Sequence, residues 1–156
     1  MKLEIDPLTI QDLQIAKETL YPAFAGISER YLGHPNAVPP WMGDDEKILQ
    51  WIDEKTAFKA SIEGKFVPGF QINIQDPTNS WLNIIWVSPE EQGKGIGQEI
   101  WNYLESTYDK IKIWYLETPE FAISNHKFYE KLGFVKQKIQ ETDRGINLII
   151  YRKQIR

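Results

Sequence analysis

Three glycines at alternate positions, Gly93, Gly95 and Gly97, stand between an apolar run and an amphipathic one, a placement suited to holding a phosphate. Glycine clears side chains from such a loop and leaves its main-chain N–H groups free to face an anion. The run before it, Trp81 to Val87, carries the aromatic and β-branched residues of a strand, and Pro89 ends it. After it, Ile96, Ile100, Leu104 and Tyr108 recur every four residues with Trp101 beside them, so a helix begins within the loop itself. Unpaired N–H groups and the positive end of the helix dipole converge on one point, and Lys94 adds a full charge.

Spacing separates the nucleotide-binding signatures that compete for this loop. A P-loop needs lysine directly after its last glycine, whereas Gly97 is followed by Gln98 and Glu99. The dinucleotide pattern Gly-x-Gly-x-x-Gly finds Gly93 and Gly95, with Glu117 twenty residues beyond Gly97, but its third glycine is Gln98. The Ser88 to Gln92 spacer also holds the first glycine too far from the strand. What fits is Gln-x-x-Gly-x-Gly, read at Gln92, Gly95 and Gly97. Further along, residues 125–134 read NHKFYEKLGF.

The hexapeptide resembles the pyrophosphate-binding signature of the GNAT superfamily of N-acetyltransferases, and the second segment resembles that superfamily's asparagine, Phe-Tyr and Leu-Gly-Phe run. The motifs cover roughly Trp81 to Val135. The resemblance implies acetyl-CoA as cosubstrate, with Gln92, Gly93, Lys94, Gly95, Ile96, Gly97 and Gln98 around the diphosphate. It implies that the motif strand splays from its neighbour so that the pantetheine arm pairs with it, the backbone of Val87 serving as oxyanion donor. Asn125 aligns with the asparagine that hydrogen-bonds the cofactor arm, and Tyr129 with the tyrosine that protonates the leaving sulfur.

A phenol with a reference pKa of about 10 suits an acid at neutral pH. Spacing alone favours Tyr129 as a core aromatic beside Phe128 and Phe134, and only the flanking match to the family reverses that reading. The base departs from the family pattern, because the motif strand offers Trp81, Asn83 and Trp86 and no carboxylate. Glu117, at the end of the following expected strand, is the candidate, beside a water chain or an amine that arrives neutral. His34 and His126, far apart and without carboxylates at ligand spacing, read as a loop residue and a helix-surface residue, and no metal site is expected. The family places its acceptor-side arch in the Pro22 to Asp44 segment, where Phe24, Tyr31 and Trp41 either wall an amine site or pin a loop to the core.

Other function classes narrow further. A formal net charge of −4 argues against nucleic acid or an anionic membrane as main partner, and a chain without cysteine has no disulfide, thiolate zinc site or cysteine nucleophile. The N-terminal MKLEIDP lacks an apolar signal core and no run approaches a membrane span, so the expectation is a cytoplasmic protein, monomer or homodimer, acting on a small-molecule or peptide amine. A catalytically silent acyl-CoA-binding domain and a dinucleotide-dependent oxidoreductase are the alternatives.

The elements that must position these groups follow from pattern. A chain of 156 residues reads as one domain over 1–156. Strands are expected over Met1 to Ile5, Thr56 to Ile62, Phe66 to Ile74, from Trp81, over Ile111 to Glu117, Phe134 to Ile139 and Asn147 to Arg152. Helices are expected from a Thr9/Asp12 capping box to about Tyr21, from Asp44 through Asp53, along the glycine-loop helix, and from Ala122 to Leu132 with Gly133 stopping it. Pro22 to Asp44 reads as loop with short helical turns, and Glu63-Gly64 as a hairpin turn. The fold class is α/β (α+β), a mixed, mostly antiparallel sheet of about seven strands flanked by about four helices, the GNAT arrangement.

Overall fold

The chain is described by a computed structural model covering residues 2–87 and 89–156. Met1, at the start of the expected first strand, and Ser88, in the spacer after the motif strand, lie outside the described residues. Seven strands, β1 (Leu3–Pro7), β2 (Ala57–Ile62), β3 (Lys65–Asp76), β4 (Asn79–Val87), β5 (Ile113–Pro119), β6 (Val135–Gln140) and β7 (Leu148–Gln154), form one sheet in the order β1-β2-β3-β4-β5-β7-β6. Every neighbouring pair is antiparallel except β4 and β5. Among the described residues four α-helices flank it: α1 (Leu13–Leu32), α2 (Asp45–Glu54), α3 (Ile96–Thr107) and α4 (Ile123–Lys131). The expected fold class and order of elements are those observed.

Local signals explain most boundaries. The Asp44 side chain accepts from the Glu46 N–H and caps α2. Thr9 and Asp12 form their capping box around a single 3₁₀ turn, Ile10–Asp12, from which α1 continues. Glu63 and Gly64 both have positive φ, 53° and 77°, the requirement of a two-residue turn matched to sheet twist.

The expected loop from Pro22 is corrected. α1 runs through Pro22 to Leu32 and ends on Gly33, whose φ of 81° closes it in the left-handed conformation. Proline costs a hydrogen bond inside a helix, but burial of Ala16, Leu20, Ala25 and Ser28 along one face outweighs it. Ser28, fully buried, donates to the His34 carbonyl at 2.6 Å and accepts from the Ala37 N–H at 3.0 Å, which folds the following loop back onto the helix.

Two apolar layers sandwich the sheet. On one face α1 and α2 bury Leu20, Ile48 and Trp51 with Ile84 and Trp86 of β4. On the other, α3 and α4 cover Phe70, Ile72, Leu82, Trp114, Leu116 and Tyr151 with Ile100, Trp101 and Leu104. Leu82 and Ile84 are two residues apart, and a regular strand would put both on one face. They face opposite layers because β4 carries an extra residue: Ile72 pairs with Leu82 while Gln71 pairs with Ile84, leaving Asn83 as a bulge.

Trp86 shows how tightly the α1 side is packed. Its indole N–H donates to Thr19 Oγ1 at 3.0 Å, and its ring lies where a Cβ on Gly69 would stand. Gly69→Ala must displace buried backbone or a fully packed indole, and is expected to lower folding stability by about 1–3 kcal/mol, read as a reduced urea midpoint with unchanged slope.

Candidate active site

The parallel pair β4 and β5 is zipped over three residue pairs only, Asn79–Ile113, Ser80–Trp114 and Trp81–Tyr115. Beyond the stacked rings of Trp81 and Tyr115, 5.4 Å apart, the two strands diverge. Among the described residues no strand pairs with the β5-facing edge of β4 from Leu82 to Val87, which leaves a wedge without ladder bonds in the middle of the sheet. Main-chain groups along such an edge need hydrogen-bond partners, which water or an extended ligand can supply.

At the mouth of the wedge stands the glycine loop. Gly95, φ 81°, is the N-cap of α3, and among the described residues no side chain caps the opening N–H groups of Ile96, Gly97 and Gln98. Gln92 folds back to donate to the Val87 carbonyl at 3.2 Å, tying the loop to the end of β4. The three glycines answer to two different needs. Gly93 and Gly95 have positive φ with open space around them, whereas a Cβ on Gly97 would lie 2.7 Å from the Phe128 ring. Gly97 thus lets α3 and α4 touch, a correction to the expectation that all three simply clear the loop.

Lys94 is not the free charge its sequence context implied. Its ammonium is 3.2 Å from Glu91, which also takes Lys65 at 3.2 Å. Hydrogen bonds from Lys65 and Lys94 hold the Glu91 carboxyl below its ordinary range.

α4 forms the other wall. Asn125 donates from Nδ2 to Thr118 Oγ1 at 3.1 Å, joining the helix to the diverging part of β5. Tyr129, one turn on, packs its ring against Phe128, Phe134 and Tyr151 with centroids 5.3, 6.1 and 6.3 Å away. Burial pushes its pKa up to about 12. No described residue takes a hydrogen bond from its hydroxyl.

Glu117 points from β5 to the face opposite Leu116 and Thr118, the side covered by α1 and α2. Although the residue is exposed, crowding around the carboxyl pushes its pKa up, and no cation pairs with it among the described residues. The expected acceptor-side aromatics divide. Phe24 and Trp41 stack edge to face at 6.4 Å, with Trp41 on Trp51 at 5.3 Å, which pins the loop. Tyr31 instead reaches the start of α4, where its hydroxyl accepts from the Ser124 N–H at 3.1 Å. Hydrogen bonding to Ser124, through its side chain first and then its N–H, holds the phenol below its ordinary pKa, helped by Arg30 and Lys127.

His34 is a loop residue as expected, its Nδ1 accepting from the Asn36 N–H at 3.2 Å. The expectation for His126 is corrected: it is buried, 8% exposed, and bonded through both ring nitrogens. Sequence reasoning also missed Gln71. It is 1% exposed and accepts from Asn83 at 2.6 Å while donating to Thr56, so a polar core pair sits at the bulge. Its surroundings, Phe70-Gln71-Ile72-Asn73-Ile74, alternate as in a half-solvated strand, so nothing local marked this glutamine as buried.

The sequence profile of the acetyltransferase (GNAT) family matches residues 23–134. The chain belongs to that family. It is also 32% identical over 146 residues to the uncharacterized protein YrkN of Bacillus subtilis (strain 168), covering 86% of this chain and 77% of that protein. Among solved structures, the PaiA N-acetyltransferase of Thermoplasma acidophilum in complex with coenzyme A superposes with a TM-score of 0.79 at 20% identity, covering 99% of this chain and all of that one. The ribosomal-protein-S18-alanine N-acetyltransferase of Escherichia coli gives 0.71 at 22% identity, covering 99% and 94%. At these identities the structures speak for the fold.

The paired lysines generate a test at the GNAT loop. An anion there competes with Glu91 for both ammonium groups, so Glu91→Gln is expected to tighten coenzyme A binding by about two- to fivefold at low ionic strength. Calorimetry should show that gain shrinking as salt is added.

Proposed function

We propose that this GNAT acetyltransferase moves the acetyl group of acetyl-CoA to a primary amine of a small molecule or peptide, by direct attack. The observation that carries this reading is the wedge: among the described residues, a strand edge without a ladder partner, ending at an uncapped helix N-terminus, beside a helix bearing a phenol without a hydrogen-bond partner. The residues fit the cosubstrate. The edge from Leu82 to Val87 matches the two amides of a pantetheine arm as an added strand would. The N–H groups at the start of α3 match its diphosphate, with Gln92, Gly93, Lys94, Gly95, Ile96, Gly97 and Gln98 around it. Asn125 retains its carbonyl oxygen for the arm.

Acetyl-CoA, when bound, brings a thioester whose carbonyl carbon is the electrophile and whose sulfur must leave. The backbone at Val87 supplies the oxyanion donor, an interaction worth about 3–4 kcal/mol in other enzymes. Tyr129 gives its phenolic proton to the departing sulfur as the carbon–nitrogen bond forms and the carbon–sulfur bond breaks. Its raised pKa keeps it protonated throughout the neutral range, so it serves as acid and never as base. Glu117 takes the amine proton, supported by its place beside the wedge, its raised pKa and the lack of a competing cation. Tyr31 borders the acceptor side. We place the protein in the cytoplasm; among the described residues no helix is long and apolar enough to cross a membrane.

Two measurements test the roles. With acetyl-CoA and a panel of polyamines, amino acids, aminoglycosides and peptides, thiol release by Tyr129→Phe should fall by about a hundredfold or more. Its Kd for coenzyme A should stay within about twofold, and an equal loss in both would remove the acid role.

Glu117 has a stability signature as well. Because its folded pKa lies above the unfolded one, its contribution is fully present below the unfolded carboxylate range and is lost as pH rises through the raised value. Glu117→Gln should therefore melt slightly higher than wild type at pH 7, the difference vanishing near about pH 4, while transfer to the amine drops.

A further inference from the structure

His126, Tyr151 and Glu130 form a hydrogen-bonded chain that the reaction does not use. His126 Nε2 is 2.9 Å from the Glu120 carbonyl, its Nδ1 is 2.6 Å from the Tyr151 hydroxyl, and that hydroxyl is 2.7 Å from Glu130 Oε2. Tyr151 is wholly buried on β7, and burial together with the Glu130 carboxylate holds it protonated. His126 and Glu130 are four apart on α4, so one hydroxyl is gripped by two successive turns of the helix.

The proton count of this chain is fixed by its geometry. A carbonyl only accepts, so Nε2 carries a hydrogen. The Tyr151 hydroxyl has a single hydrogen to place between Nδ1 and the carboxyl. If that hydrogen goes to an ionised Glu130, Nδ1 must donate and the ring is an imidazolium. If it goes to a bare Nδ1, Glu130 must be the protonated donor. Either way the complete chain holds one proton more than a neutral imidazole, a phenol and a carboxylate. Without it, one short contact sets lone pair against lone pair and opens.

We propose that His126, Tyr151 and Glu130 are positioning residues, a proton-holding clamp that sets the roll of α4 and thereby the aim of Asn125 and Tyr129. Each functional residue directly precedes a clamp residue in sequence, Asn125 before His126 and Tyr129 before Glu130. A small rotation of the helix on losing one grip displaces both. The proton belongs to the coupled group and leaves it as one event. The titratable residues brought against His126 are Tyr151 from β7, Glu130 from the next turn of α4, and Glu120 from the preceding loop. Glu120 presents its backbone carbonyl, while its carboxyl takes Asn147 at 3.5 Å. The catalytic importance of the clamp rests on the acid role of Tyr129; its existence does not.

The test reads the free protein. The ring nitrogens of His126, the side-chain amide of Asn125 and the ring carbons of Tyr129 are followed by NMR from about pH 5 to about pH 9, the span in which imidazole chemistry is ordinarily sampled. In the wild type all three sets of signals should move together with one midpoint. Glu130→Gln, an isosteric change at an exposed residue, donates from its amide to the Tyr151 oxygen and frees the hydroxyl hydrogen for Nδ1. The chain is then complete without the extra proton, and the shift of Asn125 and Tyr129 with pH should be lost. Tyr151→Phe removes the hydroxyl that joins the helix to β7, and the Asn125 and Tyr129 signals should then stay unmoved across the same span. Wild-type Asn125 and Tyr129 signals that stay flat, or a Glu130→Gln curve that follows the wild type, would overturn the clamp. A fully active Tyr129→Phe would sink the acid role and leave this titration as it is, so the two readings fail separately.

Discussion

One extra residue in β4 governs the site. With Asn83 bulged out, β4 changes which face it shows to each layer and bends away from β5, so a parallel pair that begins at Asn79 and Ile113 has ended by Trp81 and Tyr115. A bulge at the centre of a sheet leaves polar groups to satisfy, and a buried amide without partners costs several kcal/mol. Gln71 meets that demand by bonding Asn83, Thr56 and the Ile72 carbonyl from within the core. The wedge is therefore an enforced opening. It starts close to the bulge: the last β4–β5 pair is at Trp81 and the extra residue of β4 is Asn83.

Once the sheet is open, α4 must bridge the gap without moving, and each part of it has an anchor. Its first turn is met by the Tyr31 hydroxyl from α1, its middle by Tyr151 from β7, and its end by Lys153, whose ammonium is 2.6 Å from the Leu132 carbonyl. The last of these places a cation on helix-terminal carbonyls, the favourable end for positive charge. Phe128 adds contact with Gly97 at the start of α3, so the anion-binding end of one helix and the side-chain-bearing face of the other form a single packed unit. Rigidity at that junction matters, since groups on a firmly packed helix hold catalytic geometry better than groups on a loop.

How legible this was in the sequence differs by element. The glycine loop, the four-residue stripe of α3, the Asp44 cap and the Glu63-Gly64 turn are local signals, and each appears where local chemistry puts it. The bulge was hidden because β4 alternates buried and half-buried residues without interruption, so its change of face is visible only through its partner on β3. The helical course through Pro22 was hidden because one residue's local penalty is set against burial distributed over Ala16, Leu20, Ala25 and Ser28. His126 was misjudged as a surface residue for a related reason. Its partner Tyr151 lies twenty-five residues away on another element, and nothing near His126 in the chain announces it.

An acidic chain that binds a polyanion must do so at short range. The formal charge of −4 gives a weakly repulsive field at a distance, and salt removes most of it beyond a Debye length of about 8 Å. Attraction has to come from dipoles fixed in place, and the opening N–H groups of α3 are such dipoles: uncapped among the described residues, aligned, and held by Gln92 at one side and Phe128 at the other. Lys65 and Lys94 add charge, but Glu91 already holds both, so they gain only the difference between one partner and another. Binding then depends mainly on whether the backbone keeps its shape. Gly93 and Gly95, at φ 79° and 81°, hold a conformation that other residues rarely adopt, which makes the two smallest residues of the loop the ones its electrostatics can least spare.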